Sequence, residues 1–473
     1  MRLLLLLFFA FILMLSKGGA QDTSWTLQRC VDHAIQHNLQ VKQSEITVSQ
    51  NKLAQDQSYA SFIPTINGQV GHNYYWGRAI DPYTNQFTNQ QVQSSNFGLS
   101  STLTVFEGLQ LQRTLSQSKL NYLASRKDLE KIRNDISLNV VAAYLQVLYN
   151  QDLVDVFKAQ VAATDDQCRR MRRMFELGSA SKANYLDLEA QLASDSASLV
   201  AGMAQVDQSV LILAQLLELE SVKGFDIDRP MMDEPPALPA GLSADAVYSA
   251  ALLTQPEIKG NEFRLKAAEN GLAAARGSRM PRLYMSGSLN TTFSTSFKTP
   301  QFGNGYGYDA AGFTSSFDTV FLVSPNITGY EMVPFWDQLD RNRGAGVGFM
   351  LQLPLFNGWS ARTNVERARL ALQQSKLNDE ITKNNLYKSV QQAVLDAVSS
   401  RRKYESTTRS VESLQESANF NKQRFELGLI NTYEYSLSRN NLARAQADRL
   451  QAKYDHIFRL KILDFYQGRP LAF

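Results

Sequence analysis

Four histidines, two cysteines and a few charged clusters are the residues through which this 473-residue chain could do chemistry. His33 and His37 stand four apart, a spacing that puts two imidazoles on one helix face and can grip a metal ion. No Glu follows His33 and no third ligand lies nearby, so the pair reads as the polar surface of a short helix. His72 and His456 are isolated, and no base can be grouped with a nucleophile and an orienting acid. Gly303-Asn304-Gly305-Tyr306-Gly307 has the glycine density of a phosphate loop without the strand–turn–helix setting, and it reads as a flexible loop. Arg169, Arg170, Arg172 and Arg173 crowd one helix end. A solvated face and a basic ring meeting a partner or lining a lumen both fit them. The sequence therefore predicts no catalytic, cofactor-binding or metal site, and not an enzyme.

The elements that carry these residues belong to an exported chain. Arg2 precedes an apolar run from Leu3 to Leu15, followed by Ser16-Lys17-Gly18-Gly19-Ala20, the layout of a signal peptide over residues 1–20 cleaved after Ala20. No cysteine follows the cut, so lipid attachment there is not expected. No second apolar stretch of membrane-helix length, about 18 residues, is expected, which leaves a soluble chain or a β-barrel. The formal charge is +3, falling to +1 without Arg2 and Lys17, and gives no footprint for nucleic acid.

The chain reads as two copies of one plan. Phe175-Glu176-Leu177-Gly178 recurs as Phe425-Glu426-Leu427-Gly428, and Phe106-Glu107-Gly108 as Phe356-Asn357-Gly358, both at an offset of 250. Upstream, an offset of 217 pairs Lys42 with Lys259, Ser61 with Ser278 and Pro64 with Pro281. The second copy thus carries 33 extra residues between its proline and its Phe-x-Gly. The first repeat spans 21–220: a half-helix over 40–62, a β-hairpin over 64–106, a long helix over 109–176 and a return helix over 181–220. A Pro-rich linker follows at 221–242. The second repeat spans 243–473: a hairpin over 281–356 with an inserted loop at 298–342, a long helix over 358–427 and a return helix over 431–467. Each long helix would be a rod of roughly 100 Å. Val140, Tyr144, Val147, Leu148 and Leu153 suggest a narrow, coiled-coil-like apolar seam. Cys168 lies about 90 Å down such a rod and Cys30 at most about 50 Å. That separation excludes a bond that tolerates roughly 7 Å between Cα atoms.

Four segments alternate apolar and polar residues: Ile66, Val70 and Tyr74; Phe97, Leu99, Leu103 and Val105; Leu283, Met285 and Leu289; Val347, Phe349, Leu351 and Leu353. Period-two alternation over about 10 residues is the pattern of a transmembrane barrel. Four strands cannot close, and open edges are not tolerated in lipid. Two chains would give eight strands and a filled interior; three would give twelve strands with room for a channel. The fold expected is an α+β membrane protein, with four strands per protomer of a trimeric, 12-stranded barrel and a long helical tunnel. A coiled-coil adaptor would leave the strands unexplained, and a hydrolase on a barrel lacks its catalytic residues.

With these elements in place the chain resembles the TolC family of outer-membrane efflux proteins over nearly all of its length. The carriers are Pro64 and Pro281 before each hairpin, Pro354-Leu355-Phe356-Asn357-Gly358 entering a long helix, and Arg424-Phe425-Glu426-Leu427-Gly428 at a helical turn. The first copy departs from this at Thr104, where the second has Pro354. The resemblance implies a homotrimer in outer-membrane lipid, with a tunnel through the periplasm, joined to a periplasmic adaptor and an inner-membrane pump for efflux or type I secretion. It implies docking at Phe175, Leu177, Gly178, Phe425, Leu427 and Gly428. It also implies an acidic constriction just past each turn glycine, which falls here on Asn184 and Asp187 in one copy and on Glu434 in the other. Leu437, Ile430 and Phe425 stand where further gate residues would be, so Glu434 and Asp187 are what this chain offers.

Overall fold

The structure is a computed structural model that describes residues 24–80, 85–89, 91–230, 234–238 and 241–470. The expected leader and parts of the linker lie outside the described residues. The first copy comprises β1 (Ser24–Trp25), α1 (Leu27–His37), α2 (Leu39–Ala60), β2 (Thr65–Tyr75), β3 (Ala79–Ile80), β4 (Phe87–Thr88), β5 (Val92–Glu107), α3 (Gln110–Glu176) and α4 (Lys182–Leu216). After β6 (Asp226–Ile227), the second comprises α5 (Ala244–Thr254), α6 (Pro256–Gly277), β7 (Arg282–Ser294), β8 (Lys298–Phe313), β9 (Thr319–Met332), α7 (Phe335–Arg341), β10 (Gly344–Gln352), α8 (Ser360–Glu426) and α9 (Thr432–Tyr466).

The repeat reappears in helix lengths. Helices α1 to α4 hold 11, 22, 67 and 35 residues, and α5, α6, α8 and α9 hold the same numbers in the same order. Equal lengths follow from equal stop signals. Asn38 and Gln255 take extended backbone between the paired short helices. The Asn38 carboxamide oxygen accepts the Gln40 N–H at 2.9 Å and starts α2.

The chain divides into two compact units. One is built on an antiparallel sheet of order β10-β7-β5-β2. Register puts Val70 beside Phe97, Leu99 beside Leu289, and Met285 beside Phe349. One face is therefore apolar. The other carries Asn67, Ser100, Ser286, Ser288 and Gly348. Strand β10 stops at Gln352, whereas β5 runs to Glu107 through an irregularity between Thr104 and Phe106. Pro354 has no N–H for the ladder, and Thr104 has one.

The inserted segment 298–342 departs from expectation. It is no loop: β8 and β9 form a hairpin, and α7 follows. Gly303 to Gly305 sit where the register shifts between Phe302 and Tyr306, so the glycines serve a bulge within a strand rather than a flexible loop. Helix α7 is locked onto β7. The Oε1 of the fully buried Gln338 accepts the Ser294 N–H at 2.9 Å, and its Nε2 donates to the Val333 carbonyl at 2.8 Å. Asn342 Nδ2 donates to the Thr292 carbonyl at 2.8 Å, and the Thr291 hydroxyl to the Leu339 carbonyl at 2.6 Å.

The other unit is helical. Its largest core gathers Cys30 and Ala34 of α1, Val140, Tyr144 and Leu148 of α3, Leu213 of α4 and Ile457 of α9. Here α3 buries more than the narrow seam expected of it, because α1 and the parallel pair β1–β6 give it further partners. The Tyr144 hydroxyl donates to the Asp228 carbonyl at 2.6 Å beside that pair. Among the described residues α4 is long and apolar enough to cross a membrane, which corrects the expectation that no such stretch follows the leader. It nonetheless carries a buried carboxylate, Asp195.

Both cysteines are free and buried, in separate clusters. Burial pushes the Cys30 thiol up to about 12, so only about one in ten thousand is ionised at pH 8. Cys30 of the native protein should resist alkylation at pH 8, and the denatured, unreduced protein should yield two labelled thiols. No labelling in a monomeric gel band would show that the two pair.

Candidate functional site

The two helical turns of the helical unit are built alike. The Gly178 N–H donates to the Phe175 carbonyl at 2.9 Å, and the Ser179 N–H to the Met174 carbonyl at 2.8 Å. In the second turn Gly428 donates to Phe425 at 3.0 Å and Leu429 to Arg424 at 2.8 Å. Both are helix stops that need a left-handed residue, supplied by Gly178 at φ +76 and Gly428 at φ +70. The next helix starts at once. Ser181 Oγ accepts the Asn184 N–H at 3.2 Å, and Asn431 Oδ1 accepts the Glu434 N–H at 2.8 Å. Asn431 Nδ2 also donates to Glu434 Oε1 at 3.3 Å, holding that carboxylate near the positive end of α9.

A pair of stacked rings braces each turn. Phe175 lies on Tyr185 with centroids 6.1 Å apart, and Phe425 on Tyr435 at 4.7 Å. Tyr185 donates to Glu189 at 3.0 Å, which raises its pKa. Phe425 packs against the Cys168–Met171–Leu188 cluster, so it supports the turn from within. Leu177 and Leu427 point outward, 83% and 74% exposed, and Leu429 and Tyr433 extend the second patch. Glu434 and Asp187 are exposed and Asn184 is half-buried.

The arginines resolve largely into ion pairs on a solvated face. Arg169 pairs with Asp165, Arg172 with Glu176 at 3.1 Å, and Arg170 with Glu426 across to α8 at 3.6 Å. His33 and His37 stack on each other at 3.9 Å, with His37 Nδ1 at 3.0 Å from the His33 carbonyl.

Sequence reading missed a polar knot behind the first turn. Asp195, 6% exposed, accepts from the Thr164 hydroxyl at 2.7 Å, Gln191 Nε2 at 2.7 Å and Gln160 Nε2 at 3.0 Å. Gln160 also donates to Asn440 of α9 at 3.0 Å, and Arg439 donates to the Gln160 carbonyl at 3.3 Å. The signal was available. Asp195 is the one charge between Glu189 and Asp207, and its repeat mate is Ala445.

The model of the outer membrane efflux protein family matches residues 30–218 and 247–466. The chain belongs to this family. Among its relatives are the outer membrane efflux protein BepC of Brucella suis, 19% identical over 96% of this chain and 88% of that protein, and the cation efflux system protein CusC of Escherichia coli O157:H7, 20% identical over 79% and 72%. The fold matches the crystal structure of CusC at a TM-score of 0.75, with 16% identity and 96% of each chain covered. It matches the Campylobacter jejuni CmeC outer membrane channel also at 0.75, with 18% identity, over 93% of this chain and 85% of that one. This efflux protein is an outer-membrane channel component and not an enzyme. It is a protein of the outer membrane.

Proposed function

We propose that three copies of this efflux protein close one duct, met at its helical turns by a periplasmic adaptor and an inner-membrane pump. The observation that carries this reading is the sheet of order β10-β7-β5-β2, apolar on one face, with an open edge at each side. Strands β10 and β2 run in opposite senses, so β10 of one copy can pair antiparallel with β2 of the next until twelve strands close without an edge. The exposed Leu177 and Leu427 suit an apolar docking contact with the adaptor. Glu434, with Asp187 from the related turn, supplies the acidic ring at the periplasmic aperture.

Planar-bilayer recordings test the ring. Glu434→Gln keeps the shape and the capping oxygen while removing the charge. It should lower cation preference and weaken block by a multivalent cation by about fivefold, the scale of one close Coulomb contact in water. The oligomer's heat stability should stay at the parental value. If both this variant and Asp187→Asn keep parental selectivity and block, the acidic ring is not at the constriction.

A further inference from the structure

The membrane-facing side of the sheet is not bare. On the proposed reading of the duct, the strand ends next to α2, α3, α6 and α8, at Thr65, Glu107, Arg282 and Gln352, face the periplasm. The opposite ends, at Tyr75, Val92, Ser294 and Gly344, therefore face the cell exterior. Helix α7 lies across the apolar face at that outer end. Phe335 sits 5.0 Å from Phe293 and 6.2 Å from Phe97, ring to ring, and both of these belong to the apolar face.

Between α7 and the strands runs a groove of about 530 Å³, within the roughly 300–1,000 Å³ of ordinary ligand pockets. Val70, Phe97, Leu99 and Leu289 line one side, and Trp336 and Leu339 the other. Its wall is preformed, because Gln338, Asn342 and Thr291 are spent locking α7 to β7. At the margin Arg343 is 67% exposed. It gives Nη2 to Asp340 at 2.7 Å and Nε to the Asp340 carbonyl at 3.2 Å, which leaves other guanidinium N–H donors for a phosphate.

We propose that this groove seats one acyl chain of lipid A, the phosphorylated glycolipid of the outer leaflet, with its headgroup phosphate at Arg343. Three observations select a lipid chain. The lining is apolar and offers few polar anchors for a peptide or a sugar. The groove is continuous with a surface that already faces hydrocarbon. Trp336, 76% exposed, sits where interfacial aromatic side chains gather at membrane boundaries. The leaflet selects lipid A, since the groove lies at the outer end of the strands.

Gly68 gives the test its handle. It faces the groove beside Leu99, and a Cβ built there meets nothing nearer than Leu99 Cδ2 at 3.9 Å. Gly68→Phe should fill the groove with little strain on the strand. The full chain would be extracted from outer membranes in mild detergent, and retained lipids counted by native mass spectrometry. Hexa-acylated lipid A and phosphatidylglycerol would then be added back separately. The parent should retain about one lipid A per chain and rebind it in preference to phosphatidylglycerol. Gly68→Phe should lower retention on the order of tenfold, as expected when about two methylenes lose their burial. Arg343→Gln should lower it several-fold. Should Gly68→Phe fail to assemble, Trp336→Ala, which removes one wall at an exposed side chain, is expected to cause the same loss. Parental retention in the assembled groove variants, or phosphatidylglycerol bound as well as lipid A, would overturn the proposal.

Discussion

Gly108→Ala should cost this efflux protein about two to three times the stability lost in Gly358→Ala, although the two glycines are repeat mates with nearly the same backbone. Gly108 has φ +57 and Gly358 φ +60, and each is followed by a left-handed non-glycine residue, Leu109 and Trp359. Left-handed backbone alone costs an alanine about 1–2 kcal/mol, and both variants bear that. Their surroundings differ. A Cβ at Gly108 would stand 2.4 Å from the Gly277 carbonyl oxygen and 2.7 Å from Met280 Cβ, whereas one at Gly358 meets nothing within 4 Å. Gly277 is equally tight against the Gly108 carbonyl, so backbone meets backbone and no flexible side chain can yield. Forcing a methyl into such a contact adds about 1–3 kcal/mol of overpacking. The fraction of heat-modifiable oligomer and the thermal midpoint of the purified chain measure the difference. Equal midpoints for the two variants would mean that the Gly108–Gly277 contact is not a fixed part of the fold.

The double change Leu177→Asp with Leu427→Asp should leave a stable, membrane-inserted channel that exports poorly. Both side chains are among the most exposed large hydrophobics of the chain. Neither belongs to a core cluster, so folding loses little apolar burial. Surface changes away from special features stay within about 0.5 kcal/mol. At an interface the same residues would be buried against the adaptor, where truncating a central apolar anchor costs about 2 kcal/mol or more. Placing a carboxylate there adds a desolvation penalty. Adaptor capture by crosslinking and export from intact cells should both fall by at least about tenfold, the factor for roughly 1.4 kcal/mol. Phe425→Ala is the contrasting case. Its ring stacks on Tyr435 inside the turn, so it should lower heat stability as well. Undiminished adaptor capture by the double variant would place docking elsewhere on the helices.

These two outcomes divide along what could be read from residues alone. The duplication, the long helices and their turns, the barrel strands and the absence of an enzyme's constellation were legible, because each rests on local rules. Period-two alternation marks Phe97 to Val105, and glycine at 178 and 428 ends a helix, whatever surrounds them. The leucines at the turns were legible in the same way, since an apolar residue beside a turn glycine stands out in sequence.

What the sequence left undecided depends on which distant segments meet. Gly303 to Gly305 looked like a loop because isolated glycines weaken a strand, yet pairing with β9 turns them into a bulge. Gln338 carries no signal as a letter; only the packing of α7 on β7 buries its amide between the Ser294 N–H and the Val333 carbonyl. Asp195 was visible as a lone charge, but only the approach of α3 and α9 made it a hydrogen-bonded knot. Gly108 and Gly358 are indistinguishable as letters. Only the tertiary structure decides that one touches Gly277 and the other faces open space, because steric exclusion acts between chain segments that sequence separation keeps apart.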